Sequence, residues 1–237
     1  MSEHHEAFAA LRIEQVSLHD DAMTLTLANG TRHVEPYRRH IRLEKATPEQ
    51  RAQWVLVDSG FGLCWPALWP ADAVGLVNTL DVAWEASYDA AMHKLKAADW
   101  KLEVLGAADQ DLCALWRLEA DMNNGGFLQF LGNWGEANCG IALAALCKMG
   151  AHQAHAIVQR QRDIVQRFEN DPDLKSMSDI YGLLTAQEND ELEALDNAFW
   201  DYPDRLAPLG LACFGLPVLP PSGSAEAALS GKENGAA

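Results

Sequence analysis

The residue pattern changes period once, near Pro66 and Pro70, and that change limits the chain to a β-rich part followed by a helical one. Before it, Leu11, Ile13 and Val16, then Met23, Leu25 and Leu27, alternate with polar positions around the turn formers Asp20-Asp21 and Asn29-Gly30, which predicts β-hairpins. Thr47-Pro48-Glu49-Gln50 places a capping residue, a proline at the first helical position and Gln three residues after the cap, so a short helix should start there. Trp54 to Val57 is too short and β-branched for a helix, and Ser59-Gly60-Phe61-Gly62 turns it back into Leu63-Cys64-Trp65 as a further hairpin.

After the prolines, Ala73 to Trp100 is Ala-rich and free of Pro, which predicts one or two helices. Asp109 caps a helix through Leu112, Leu115, Trp116, Leu118 and Met122 that must end at Asn123-Asn124-Gly125-Gly126. Ala137 to Met149 and His152 to Phe168 are two further helices with Gly150 as the stop between them. Thr185-Ala186-Gln187-Glu188 is a second capping box, opening a helix with Leu192, Leu195 and Phe199 on one face, and Pro203 begins a last helical stretch ending near Gly215. The expected fold class is α+β, a small β-rich N-terminal domain with a short helix followed by an all-α C-terminal domain. The expected bounds are a flexible N-terminus at 1–10, a β-rich domain at 11–82, a helical domain at 83–217 and a disordered Pro/Ser/Gly/Ala tail at 218–237.

With 237 residues and 49% hydrophobic residues the chain can bury two modest cores. No apolar run nears the roughly 20 residues that cross a bilayer, and the first thirty residues lack a basic start before an apolar stretch. The five cysteines, Cys64, Cys113, Cys139, Cys147 and Cys213, are scattered and odd in number, and they read as reduced, buried thiols of a cytoplasmic protein. A net charge of -16 opposes binding to nucleic-acid phosphates. Residues 1–98 hold 9 Lys/Arg against 13 Asp/Glu, whereas 99–237 hold 9 against 21. The most polarised stretch sets Glu169, Asp171, Asp173, Asp179, Glu188, Asp190, Glu191, Glu193, Asp196, Asp201 and Asp204 against the single base Lys175.

No linear motif for catalysis stands out: there is no G-x-S-x-G, no phosphate-cradling P-loop and no G-x-G-x-x-G after a strand. His152 and His155 lie three apart on a predicted helix, but no Cys or carboxylate at ligand spacing completes a metal site. No cofactor is expected. The carboxylates Asp190, Glu191 and Glu193 read as a solvated face rather than a catalytic pair, since acids are the rule around them. The run Asp121-Met122-Asn123-Asn124-Gly125-Gly126-Phe127-Leu128-Gln129-Phe130 supports two readings. In one, the glycines turn a helix-helix corner with Phe127 and Phe130 plugging the core; in the other, the corner presents Asn123, Asn124 and Gln129 as a recognition loop.

Two resemblances follow from these strings. Ala46-Thr47-Pro48-Glu49-Gln50-Arg51-Ala52-Gln53-Trp54, followed by Gly60, Gly62, Leu63 and Cys64-Trp65-Pro66, resembles a small bacterial domain of unknown function often encoded beside toxin-antitoxin components. That family usually follows its Trp-Pro with acids, whereas here Ala67-Leu68-Trp69-Pro70 precedes Asp72. Residues from about 84 to 215, centred on Asn124, Gly125, Gly126, Phe127, Gln129 and Asn133, with Gly135-Glu136 and Met149-Gly150-Ala151, resemble the helical domain of a bacterial DNA-mimic protein family. That resemblance implies carboxylates displayed in place of DNA phosphates, occupying the DNA-binding surface of a transcription regulator.

The leading expectation is a non-enzymatic binding protein whose acidic C-terminal surface engages a basic protein partner, with no direct nucleic-acid binding by that domain and no membrane. Two alternatives stay open, as does the oligomeric state. One is an antitoxin-like module whose N-terminal domain contacts a toxin or nucleic acid through Arg38, Arg39, Arg42 and Arg51. The other is an enzyme without a linear motif, with His152 or His155 beside a buried carboxylate.

Overall fold

The computed structural model describes residues 4–69, 73–168 and 177–217. The chain divides after Ala86, with Ser87–Gly215 forming the second unit. The tail at 218–237 and the acids Glu169, Asp171 and Asp173 lie outside the described residues.

In the first unit a short helix α1 (His4–Ala7) leads to three antiparallel strands, β1 (Ile13–Leu18), β2 (Ala22–Leu27) and β3 (Arg32–Pro36), in the order β1-β2-β3. The period-two pattern fixes the register: Met23, Leu25 and Leu27 of the central strand are at most 1% exposed, with Met23 opposite both Leu18 and Glu35. Phe8 and Leu11, just ahead of β1, are buried as well. A short α2 (Ile41–Glu44) precedes α3 (Pro48–Arg51), whose capping box forms as the sequence predicts: Gln50 N–H donates to Thr47 Oγ1 and Thr47 N–H to Gln50 Oε1.

The second hairpin also forms, β4 (Val55–Val57) against β5 (Gly62–Cys64), and a two-residue strand β6 (Val77–Asn78) joins β5. The Ala73 to Trp100 stretch, expected to be helical, therefore opens as a strand. Asn78 Nδ2 donates to Asp58 Oδ2 and Val74 O, while Thr79 Oγ1 donates to Leu11 O. These long-range bonds override the local helix propensity. Asn78 Oδ1 then accepts from Leu80 N–H, and α4 (Thr79–Ala97) begins there.

Glu35 is the buried charge of this unit, its side chain only 4% exposed. Oε2 accepts from His33 Nε2 and Oε1 from His40 Nε2, both at 2.9 Å, with Arg39 Nη1 at 3.4 Å. Burial pushes the carboxyl up, but the two imidazole hydrogen bonds and the Arg39 charge outweigh it and hold the pKa at about 2, against 4.5 for the free group. A depressed carboxylate pKa contributes stability that is present above pH 4.5 and is lost as pH falls toward 2. By linkage this amounts to about 3 kcal/mol. In urea unfolding, Glu35→Gln should trail the wild type by about that amount at neutral pH, with the gap closing as the pH is lowered through that window. A gap that does not change with acid would refute the assignment.

The second unit is helical. α5 (Ala107–Gly125) and α6 (Phe127–Met149) meet at Gly126, α7 (His152–Val165) follows, then α8 (Met177–Leu183), α9 (Ala186–Trp200) and α10 (Leu206–Phe214). Gly150 stops α6 in the left-handed region at φ 79°, with Ala151 N–H donating to Leu146 O, as the sequence predicts. Thr185 and Glu188 form the second capping box, and Leu192 and Phe199 of α9 are buried. The helix expected to start at Ala137 instead begins at Phe127 and breaks at Gly135, where φ is 72°. Helical residues on both sides of Gly135 make it a kink rather than a stop. The last helix begins at Leu206, three residues after Pro203. Among the described residues no helix is long and apolar enough to cross a membrane. Cys64, Cys113 and Cys139 are buried, but Cys147 is exposed and Cys213 half-buried, which corrects the expectation of five buried thiols.

Candidate functional site

The corner between α5 and α6 is built on Gly126, at φ 79° and ψ -170°, a region open essentially to glycine alone. A Cβ there would also sit 2.2 Å from Asp196 Oδ2. Asp196 comes from α9, and its Oδ1 accepts from Phe127 N–H at 3.0 Å and from Gln161 Nε2 at 2.7 Å. Because Phe127 is the first residue of α6, the carboxylate caps the positive end of that helix. Burial raises the Asp196 carboxyl pKa, and the two donors pull part of the way back.

A second carboxylate, Asp121, closes the corner from α5 and is 8% exposed. Its Oδ1 accepts from Gln129 Nε2 at 2.9 Å, and its Oδ2 from Asn133 Nδ2 at 3.1 Å and Trp134 Nε1 at 2.6 Å. Its backbone carbonyl accepts from Gly126 N–H. Arg117 lies over the Trp134 ring at 4.1 Å and donates to Asn138 Oδ1. Phe127 and Phe130 are fully buried with ring centroids 6.3 Å apart. Of the motif residues, Gly126 and Phe127 are buried at the corner, Gln129 is half-buried, and Gly125 and Asn133 are exposed. Asn123 and Asn124 remain exposed, their Nδ2 atoms on Glu119 O and Ala120 O.

The corner fastens α9. Besides Asp196, Trp200 Nε1 donates to Met122 O at 2.6 Å, and Asn123 Nδ2 donates to Tyr202 Oη at 3.1 Å. On its other flank α9 meets α7 and the turn after it: Arg160 of α7 grips Glu191 with Nε and Nη2 at 2.7 and 3.0 Å, and Arg167, two residues past the end of α7, grips Glu188 with both terminal nitrogens. The Arg167 bonds, with those from Thr185, hold the Glu188 pKa at about 2, and Arg160 lowers that of Glu191. Asp204 accepts from the N–H groups of Gln153 and Ala154 and so caps α7.

The eight predicted acids among the described residues therefore separate by role. Glu188, Glu191, Asp196 and Asp204 hold helices together, and Asp179 lies in the first turn of α8. Asp190, Glu193 and Asp201 are exposed, and their carboxylates have no partner among the described residues. At helical spacing these three and Asn197 fall within one sector of α9 roughly 80° wide. The face runs about 16 Å along the axis at the usual helical rise. Sequence reasoning placed Asp121 in the glycine-corner run without giving it a role, and it did not find Gln161 or the inward role of Asp196. The available signal was polar residues at apolar-face positions, such as Asp121 beside Leu118 and Met122.

The arginines of the first unit are largely occupied. Arg51 donates to the carbonyls of Leu43, Asp20 and Glu44 and lies over Tyr37. Arg42 donates to Leu68 O and lies over Trp69, Arg39 faces Glu35, and Arg38 is exposed. His152 is exposed and His155 half-buried. Among the described residues no group of three or more His, Cys, Asp or Glu could hold a metal ion. Burial pushes the Cys113 and Cys139 thiols up to about 11 and about 12, away from thiolate chemistry. The outer face of α9 offers charge complementarity to a basic surface and no reactive group.

No curated protein and no solved structure gives a match to the chain. Family models match two stretches: one described as a protein of unknown function (DUF2442) at residues 13–69, the other as DMP19-like protein at residues 104–214. The second stretch contains the glycine corner, Asp121, Asp196 and the outer face of α9. The chain is thus similar to the DUF2442 family over residues 13–69 and to the DMP19-like family over residues 104–214.

Proposed function

We propose that the protein is a non-enzymatic binding protein whose helical domain sets the outer face of α9 against the DNA-contacting surface of a basic regulator, in place of DNA phosphates. The observation that carries this reading is the division of acids on α9. Glu188 and Glu191 are neutralised by Arg167 and Arg160, while Asp190, Glu193 and Asp201 line the opposite, solvent-facing side. Such a face attracts a basic surface, speeds encounter and loses affinity as salt rises. The DMP19-like match and the resemblance to DNA mimics support the same reading.

The test uses the full chain as bait at low salt. Retained protein should be released by duplex DNA and by added salt. The triple variant Asp190→Lys, Glu193→Lys, Asp201→Lys should weaken retention about tenfold or more. Because those carboxylates bond nothing else among the described residues, the unfolding midpoint should not fall, and Asp201→Lys at the C-terminal end of α9 should raise it slightly. Retention that ignores both DNA and the triple variant would remove the proposal.

A further inference from the structure

The C-terminal end of α9 carries more than charge. Trp200 and Tyr202 are 44% and 51% exposed, and each is fixed by its polar edge, the Trp200 indole on Met122 O and the Tyr202 hydroxyl on Asn123. Between them Asp201 is the C-cap of α9, and no basic residue lies in the helix's last turn. A carboxylate at a helix C-terminus adds to the negative end of the helix dipole, an arrangement that a cation relieves and this helix leaves without one. Tyr202 is held at φ 49°, a left-handed conformation rare for a bulky residue and enriched where a side chain is aimed for binding. By helical spacing Trp200 also borders Asn197 and Glu193, so the aromatic pair continues the acidic face.

We infer that Trp200, Asp201 and Tyr202 form the anchor of that face, and that its occupant is an arginine side chain on the basic protein partner. The inference rests on the function proposed above and names the side chain that the surface selects. Guanidinium fits for three reasons: it pairs with a carboxylate in a planar fork, it stacks on aromatic faces, and it sheds water more easily than ammonium. Rings already held by their polar edges lose little freedom when covered. A surface that only displays carboxylates would prefer arginine through the planar fork alone, and would keep that preference after Trp200→Ala or Tyr202→Ala.

The probes are a peptide of ten arginines and one of ten lysines, titrated calorimetrically into the full chain at low salt. The arginine peptide should bind about fivefold tighter. Tyr202→Ala and Trp200→Ala should erase that preference, and Trp200→Phe, which keeps a ring, should retain most of it. Asp190→Asn with Glu193→Asn should weaken both peptides equally. Since Trp200→Ala also removes a packing side chain, the wild-type Trp200 indole N–H resonance, assigned by its loss in Trp200→Phe, gives a second reading. It should shift with the arginine peptide more than with the lysine peptide. Equal affinities, or a preference that survives Tyr202→Ala with a silent Trp200 resonance, would overturn the anchor while leaving the acidic face in place. Failure of the folded wild type to bind either peptide would overturn both.

Discussion

Gly126→Ala should cost the helical domain about 4 kcal/mol in urea unfolding. Two separate penalties meet at that position. Its φ of 79° and ψ of -170° lie where a side chain is strained by about 1 to 3 kcal/mol whatever space surrounds it. The added Cβ would also sit 2.2 Å from Asp196 Oδ2, so the carboxylate must leave Phe127 N–H and Gln161, unmaking charged hydrogen bonds in a buried place at about 1.5 to 3 kcal/mol. Two other glycines separate the contributions. Gly150 has a left-handed φ of 79° and nothing within 4 Å, so Gly150→Ala should cost only the backbone strain, about 1 kcal/mol. Gly125 has no unusual φ, and its Cβ would meet Gln129 Oε1, the far end of a flexible side chain, at 2.1 Å. Gly125→Ala should therefore cost about 1 kcal/mol through the disturbed Gln129 bond to Asp121. Pairing Gly126→Ala with Asp196→Ala should be less damaging than the two single changes added together, because the second removes the group the methyl strikes. If Gly126→Ala unfolds at the wild-type midpoint, the corner is not held as described.

How much of this was legible in the sequence depends on how far apart the interacting residues lie. Both capping boxes and the Gly150 stop could be read directly, because a cap involves residues three or four apart and its chemistry is complete within one turn. The hairpins were legible for the same reason, with turn formers between alternating runs. β6 was not, because Val77 and Asn78 are strand only through pairing with β5 and through bonds from Asn78 and Thr79 to Asp58 and Leu11. At the candidate site, composition located the acidic segment but could not sort it. Neighbours in sequence turn to different sides of a helix, so Glu188 and Glu191 face Arg167 and Arg160 while Asp190 and Glu193 face water. Asp196 reads as one more surface acid until α9 is packed on the corner, when it becomes the cap of α6. The motif residues Gln129 and Asn133 were visible, but their common acceptor, Asp121, was only the first residue of the same run.

That acceptor carries the second large effect. Asp121→Ala should destabilise the helical domain by about 3 kcal/mol, since it leaves the side-chain donors of Gln129, Asn133 and Trp134 facing one another with no acceptor. Asp121→Asn preserves the shape but turns one acceptor oxygen into a donor against those groups, so it should recover less than half of the loss. Trp134→Phe alone should cost about 1 kcal/mol. Added to Asp121→Ala it should cost less than it does alone, because the indole N–H it removes is already without a partner. These variants also separate holding the face from being the face. Met122 and Asn123, which follow Asp121 directly, hold Trp200 and Tyr202, so loosening α5 at Asp121 should lower stability and partner binding together. Charge reversal at Asp190, Glu193 and Asp201 should lower binding without lowering the unfolding midpoint. Should Asp121→Ala weaken the fold yet leave the arginine preference of α9 intact, the corner is not what orients the binding face, and Arg160 of α7 with Arg167 just after it must hold it instead.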